Sequence, residues 1–165
     1  MAYINPAPGT TSQIVLKLDC GIALGTLTLG GSPLTVPALQ DITVNAANDI
    51  FTWSQLDSTA KKQVATTSTN SLSMNLVVDP TTFFGTTLAS VQTDTVAAQG
   101  LLGLSRNKTL VTFSLKFYEG GATDTYVKGQ GYISGLAPTV SADAPVWVTP
   151  ITITVTGEYT SSATE

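Results

Sequence analysis

The chain has 165 residues, 42% of them apolar and only 11% charged, with a net charge of −4 and a pI of about 4.5. The acidic balance excludes a protein that grips nucleic acid through a basic stripe, the single cysteine excludes an internal disulfide, and no apolar run approaches the roughly 20 residues of a membrane-spanning helix. Charge well below the roughly 25% of an average soluble domain, with Thr occurring 28 times, makes the polar faces hydroxyl and amide surfaces, expected either to be covered by other copies of the chain or to belong to a protein that works outside a crowded cytoplasm.

The opening "MAYINPAPGTTSQ" has neither a basic n-region nor an apolar h-region, so no secretory leader is expected and the chain is expected to be made in a cytoplasm. Residues 1–11, with Pro6, Pro8 and Gly9, read as an irregular arm. Alternation then predicts a strand over 12–18, with Ile14, Leu16 and Leu18 inward. A second extended run covers 22–29, the pair Gly30–Gly31 marks a turn, and a third run over 34–44 is bent or lies at an edge because of Pro37. Cys20 reads as a small core residue.

From 45 to 70, "NAANDIFTWSQLDSTAKKQVATTSTN", no period of two persists. This stretch reads as a long loop, and loops of that length in a compact domain are commonly functional. It carries Ile50, Phe51 and Trp53, large apolar groups of the kind that anchor interfaces. A strand follows over 71–78, with Leu72, Met74, Leu76 and Val78 inward, and "DPTTFFGTT" reads as a connector. One helix is predicted over 88–104, with Thr87 as N-cap. Its apolar stripe is Leu88, Val91, Thr95, Ala98 and Leu102, and Gln92, Thr93, Asp94 and Gln99 form its wet face. Gly100 and Gly103 weaken its last turns and mark its end.

The segment 109–135 reads as a hairpin. Its first strand turns Val111, Phe113, Leu115 and Phe117 to the core and Thr112, Ser114, Lys116 and Tyr118 to solvent. Its second strand places Gly129 and Gly131 between inward Val127 and Ile133. Glycine weakens a strand, so this pair is expected either to let the strand coil sharply where the sheet closes or to let the helix approach the sheet closely, the second by preference. Phe113, Leu115, Phe117, Gly129 and Gly131 are therefore the candidates for helix–sheet packing. A short strand is possible at 136–140 and a final one at 147–156, with Trp147, Thr149, Ile151, Ile153 and Val155 on one face. Residues 157–165 read as a loose tail. The predicted architecture is an antiparallel β-sandwich or barrel of six or seven strands with one flanking α-helix, a single domain over 1–165.

Chemistry is sparse. There is no histidine to serve as general base or metal ligand, no Gly-x-Ser-x-Gly elbow and no phosphate-binding lysine loop. "GQGYIS" at 129–134 lacks the third glycine and the following helix of a dinucleotide site. Asp19, Asp124 and Asp143 read as solvated turn residues. No enzymatic activity, cofactor or metal is expected.

The order of elements resembles a known family. "GLLGLSRNKTL" leads to "VTFSLKFYEGG" and then to "YVKGQGYISGLAPTVSADAPVWVTPITITVTGEY", with a small-residue step at Gly129, Gly131, Ser134 and Gly135. This is similar to the C-terminal half of the major tail proteins, the tail tube subunits, of long-tailed bacteriophages, and 45–70 stands where that family has an extended loop. The likeness covers most of the chain as topology and 88–159 as sequence. It implies hexameric rings stacked into a hollow tube through which DNA passes without specific binding. The implied partners are the tape-measure protein and the tail-completion or tail-tip proteins, and the implied location is the virion tail. Related folds serve contractile injection systems. An immunoglobulin-like decoration or adhesion module and a carbohydrate-binding sandwich are the other classes compatible with low charge and Thr-rich strands.

Overall fold

The computed structural model describes residues 14–56, 60–87, 95–117, 124–143 and 146–165. The expected N-terminal arm (1–11), the first half of the expected helix (88–94) and the tip of the hairpin at 118–123, with Tyr118, lie outside them.

In chain order the elements are β1 (Ile14–Cys20), β2 (Leu34–Thr35), β3 (Leu39–Ser54), β4 (Lys61–Val77), α1 (Pro80–Phe84), α2 (Val96–Arg106), β5 (Val111–Phe117), β6 (Thr125–Leu136), β7 (Val148–Val155) and β8 (Thr160–Ser162). Among the described residues eight strands join one antiparallel sheet, seven in the order β2-β1-β5-β6-β7-β4-β3 and β8 against β6. β6 is its pivot. One edge pairs with β5, from Val111↔Gly131 to Phe117↔Thr125. The other edge takes β7 along Gly131–Leu136 and β8 along Tyr126–Lys128. Residues 157–165 are therefore not a loose tail. The chain bulges out after β7 and rejoins the sheet, and Glu165 ends 2.7 Å from the Lys17 ammonium.

Side chains from both halves of the sheet share one core. Leu16, Leu18, Phe113 and Leu115 come from one half, and Leu72, Met74, Ile151 and Ile153 from the other. The sheet thus curls on itself into a barrel-like sandwich. Tyr159, in the bulge before β8, closes the gap. Its ring meets Phe113 edge-on at 6.2 Å, and its hydroxyl donates to Ser71 O at 2.6 Å, with Asn45 O at 3.0 Å.

The glycines of β6 serve strand packing and not helix approach, correcting the expectation above. A Cβ on Gly129 would stand 2.6 Å from Cζ of Phe113, its partner across the ladder, so the phenyl ring lies over the glycine. A Cβ on Gly131 would fall on the carbonyl oxygen of Thr154, where β7 passes. The close helical contact is instead between α1 and α2. Gly85 (φ +75°) and Gly100 (φ +65°) lie against each other's backbone, leaving no room for a side chain at either.

Several further expectations change. "DPTTFFGTT" holds α1, capped by Asp79, whose carboxylate accepts from Thr82 N at 2.9 Å, with Pro80 in its first turn. α2 is capped by Thr95 and not Thr87, and it runs past Gly100 to Arg106. The non-helical backbone of Gly100 shifts the phase of the apolar stripe. Leu101 and Leu104 turn inward, Leu102 turns to solvent, and Gln99, expected wet, is buried. There Gln99 accepts from Asn107 and Thr109. The run 22–29 forms no strand. Gln130 holds it: its Nε2 lies within hydrogen-bond distance of Ala23 O and Thr26 O, as well as of Thr112 Oγ1 on β5, and its Oε1 accepts from Gly25 N. That cover buries Thr112 on the expected solvent face. Ser114 is buried too, flanked in the ladder by Lys17 and Lys128, whose aliphatic stems lie on the same face. Phe117 is half-buried, packed against the core.

Candidate functional site

The expected loop over 45–70 is a two-stranded arm. β4 pairs with β7 only from Ser71 to Val77. Beyond Asn70 it pairs, among the described residues, only with β3, out to Ser54↔Lys61. Both faces of this extension are largely exposed, so no alternation of apolar and polar residues marks it. About nine residues per strand, at roughly 3.3 Å each, carry it about 30 Å from the body. A bulge at Asp49 interrupts the register between Asn48 and Ile50. It is held by Thr66 Oγ1 donating to Asp49 O and by Thr67 Oγ1 donating to Asp49 Oδ2.

The three apolar candidates do not form one surface. Phe51 and Trp53, two residues apart on β3, share a face, and their rings stack at 5.9 Å. Their ladder partners on that face are Val64 and Lys62. Ile50 faces the other way, opposite Ala65. Ile50 and Phe51 are 60% and 59% exposed, far from the core that would normally hold them.

A second apolar surface lies at the other end of the same ribbon. β4 stops at Val77, and Val78 N bonds to Trp147 O. There an open groove of about 500 Å³ is lined by Val78, Phe83, Phe84, Leu102, Leu136 and Trp147. Phe84, Leu102 and Trp147 are 44%, 40% and 52% exposed. Sequence periodicity assigned Leu102 and Trp147 to the core and Phe84 to a connector, and so missed this groove. The Asp-Pro start and glycine end of "DPTTFFG" are the signal that would have revealed α1 beneath it.

Electrostatics is quiet. Lys116 lies 2.7 Å from Asp124, and that hydrogen bond raises its pKa above the usual lysine value. Asp19 accepts from Cys20 N and Gly30 N and so clasps the loop after β1. Burial raises the Tyr159 phenol above its ordinary 10.0. Among the described residues no three His, Cys, Asp or Glu side chains are grouped to hold a metal ion, and no helix is long and apolar enough to cross a membrane.

Compared by sequence, the chain matches no protein-family model and no curated protein. Compared by structure, it is similar to a subunit of the tail of an empty GTA particle refined with C6 symmetry: TM-score 0.62, 12% identity, 93% of this chain and 98% of that one. It is similar to the SPP1 tail tube subunit, with TM-score 0.64, 12% identity, 93% of this chain and 78% of that one. It is also similar to a chain of the anti-feeding prophage baseplate, solved with sixfold symmetry: TM-score 0.57, 9% identity, 96% of this chain and 97% of that one. The fold of this chain is the one these tail, tail-tube and baseplate chains share.

Proposed function

We propose that the chain is the repeating subunit of a phage tail tube and acts over its whole length as one tail-tube-like domain. The observation that carries this is the arm over 45–70. It is a two-stranded ribbon that pairs only with itself beyond Asn70 and exposes Phe51 and Ile50, built on a fold shared with tail tubes. An isolated two-stranded ribbon is at best marginally stable in water, so contact with neighbouring subunits is what makes such an arm useful. Ile50, Phe51 and Trp53 make that contact, and the opposite facing of Ile50 and Phe51 gives the arm two neighbours.

The sixfold symmetry of the GTA tail and the AFP baseplate favours hexameric rings here, stacked into a hollow tube. The outer edge of β3 and most of β1, which β2 covers only at Lys17 and Leu18, supply strand edges for ring closure. In this role the subunit is made in the host cytoplasm and ends in the virion tail. It surrounds a tape-measure protein, meets tail-completion or tail-tip proteins at its ends, and passes DNA without holding it.

Sedimentation velocity on the purified chain over a concentration series, with prolonged incubation, tests the assignment. Rings or filaments that grow with concentration are expected. A monomer that persists at high concentration contradicts it.

A further inference from the structure

We infer that the groove beside Trp147 is the receptor for the arm of a second copy of this chain, an inference that rests on the tube reading above. The arm tip and the groove occupy opposite ends of one ribbon. β4 begins at the tip with Lys61 and ends at Val77, and Val78 opens the groove. Its 17 residues, at roughly 3.3 Å each, put about 50 Å between them. The pleated ribbon is paired along its length, so a subunit cannot seat its own arm in its own groove. Donor and receptor at opposite ends of one molecule make a head-to-tail contact, and such a contact repeats indefinitely along the direction of the ribbon.

The two surfaces match in chemistry. The stacked pair of Phe51 and Trp53 presents a continuous apolar surface. The groove, at about 500 Å³, is lined by aliphatic and aromatic groups and has the size of pockets that enclose apolar ligands. Lys62 stands beside Trp53 on the same face of the arm, with Lys61 next to it, and Asp79 stands between the groove residues Val78 and Pro80. Seating the aromatic pair brings these lysines toward the side of the groove that holds Asp79, whose carboxylate also caps α1 by accepting from Thr82; one charge pairing there fixes orientation more than it adds affinity.

Two variants that each retain one half of the contact test this. Trp53→Ser disables the arm and leaves the groove. Leu102→Asp, at an exposed helical position, disables the groove and leaves the arm, and Trp147→Ser replaces it if it melts early. Each variant alone is expected to form no filaments while keeping the wild-type melting temperature. Mixed in equal amounts, they are expected to join into a species of twice the mass that either forms alone, and to stop there, because only one arm–groove contact remains. An unchanged mass in the mixture, or wild-type filaments from both groove variants, overturns the inference. If the wild-type chain itself forms no filaments, the tube reading fails, and the doubling of mass in the mixture still decides the contact.

Discussion

At Gly129 the missing side chain makes room for the ring of Phe113, which lies where a Cβ would stand. Gly129→Ala is therefore expected to cost about 1–3 kcal/mol, the usual range for forcing extra volume into a packed core. The loss should shrink in a Phe113→Leu background, where a smaller side chain leaves space. Urea denaturation of the four proteins in this cycle measures the coupling, and additive losses would show that the ring is not the obstacle. The sequence revealed that something filled the space over these glycines, since they break an apolar face. What fills it depends on the pairing of Gly129 with Phe113 and of Gly131 with Val155, and no local pattern encodes that register. Ser114 illustrates the same limit. Alternation places it opposite the core, but it is buried, and its hydroxyl has no partner among the described residues. Its replacement by Ala should leave stability unchanged or slightly raised, as urea denaturation will show, because an unsatisfied buried hydroxyl is lost.

Among the elements, the bulge between β7 and β8 carries more than its sequence suggests. Tyr159 ties it to β3 and β4 through one hydroxyl. Tyr159→Phe is expected to cost about 1 kcal/mol at neutral pH, the net worth of a typical hydrogen bond. The pH dependence follows from burial, which raises this phenol above 10.0. The unfolded chain then releases the proton first, so the contribution of Tyr159 is complete below pH 10 and is lost as pH rises through the folded value. The wild-type melting temperature should fall more steeply above pH 10 than that of Tyr159→Phe; parallel curves would remove Tyr159 from the account. The arm makes a different case. Alternation is legible where one face meets the apolar core and the other carries polar groups, so β1, β5, β7 and the inner half of β4 could be read directly, although polar cover buries both faces of β5. The outer part of β3–β4, exposed on both faces, looked like a loop. The aromatic pair within it was visible, and its consequence is sharp. Trp53→Ala is expected to leave the melting temperature within a few degrees of wild type and to abolish filaments, since an interfacial Trp is worth about 2 kcal/mol or more per contact. A collapse of the melting temperature would place Trp53 in the fold and not in the assembly.

For the whole molecule, sparse charge, a fold shared with tail tubes and the apolar arm support the proposed role of a tube subunit. A net charge of −4 suits a conduit that repels phosphate, and Lys17 and Lys116 are paired with carboxylates. Double-stranded DNA at low salt is expected to show no retardation by the protein, and tight, salt-sensitive binding would mean that its cations are presented and not neutralised. The groove could not be read from the sequence. It exists only because the break at Gly100 turns Leu102 outward and the sheet brings Trp147 beside Val78. The central claim, that this chain is a tube subunit, is met most directly by negative-stain electron microscopy of the purified protein after long incubation. Hollow filaments of uniform diameter, with sixfold symmetry in cross-section, are the predicted result. Dispersed monomers, or fibres without a lumen, would contradict it.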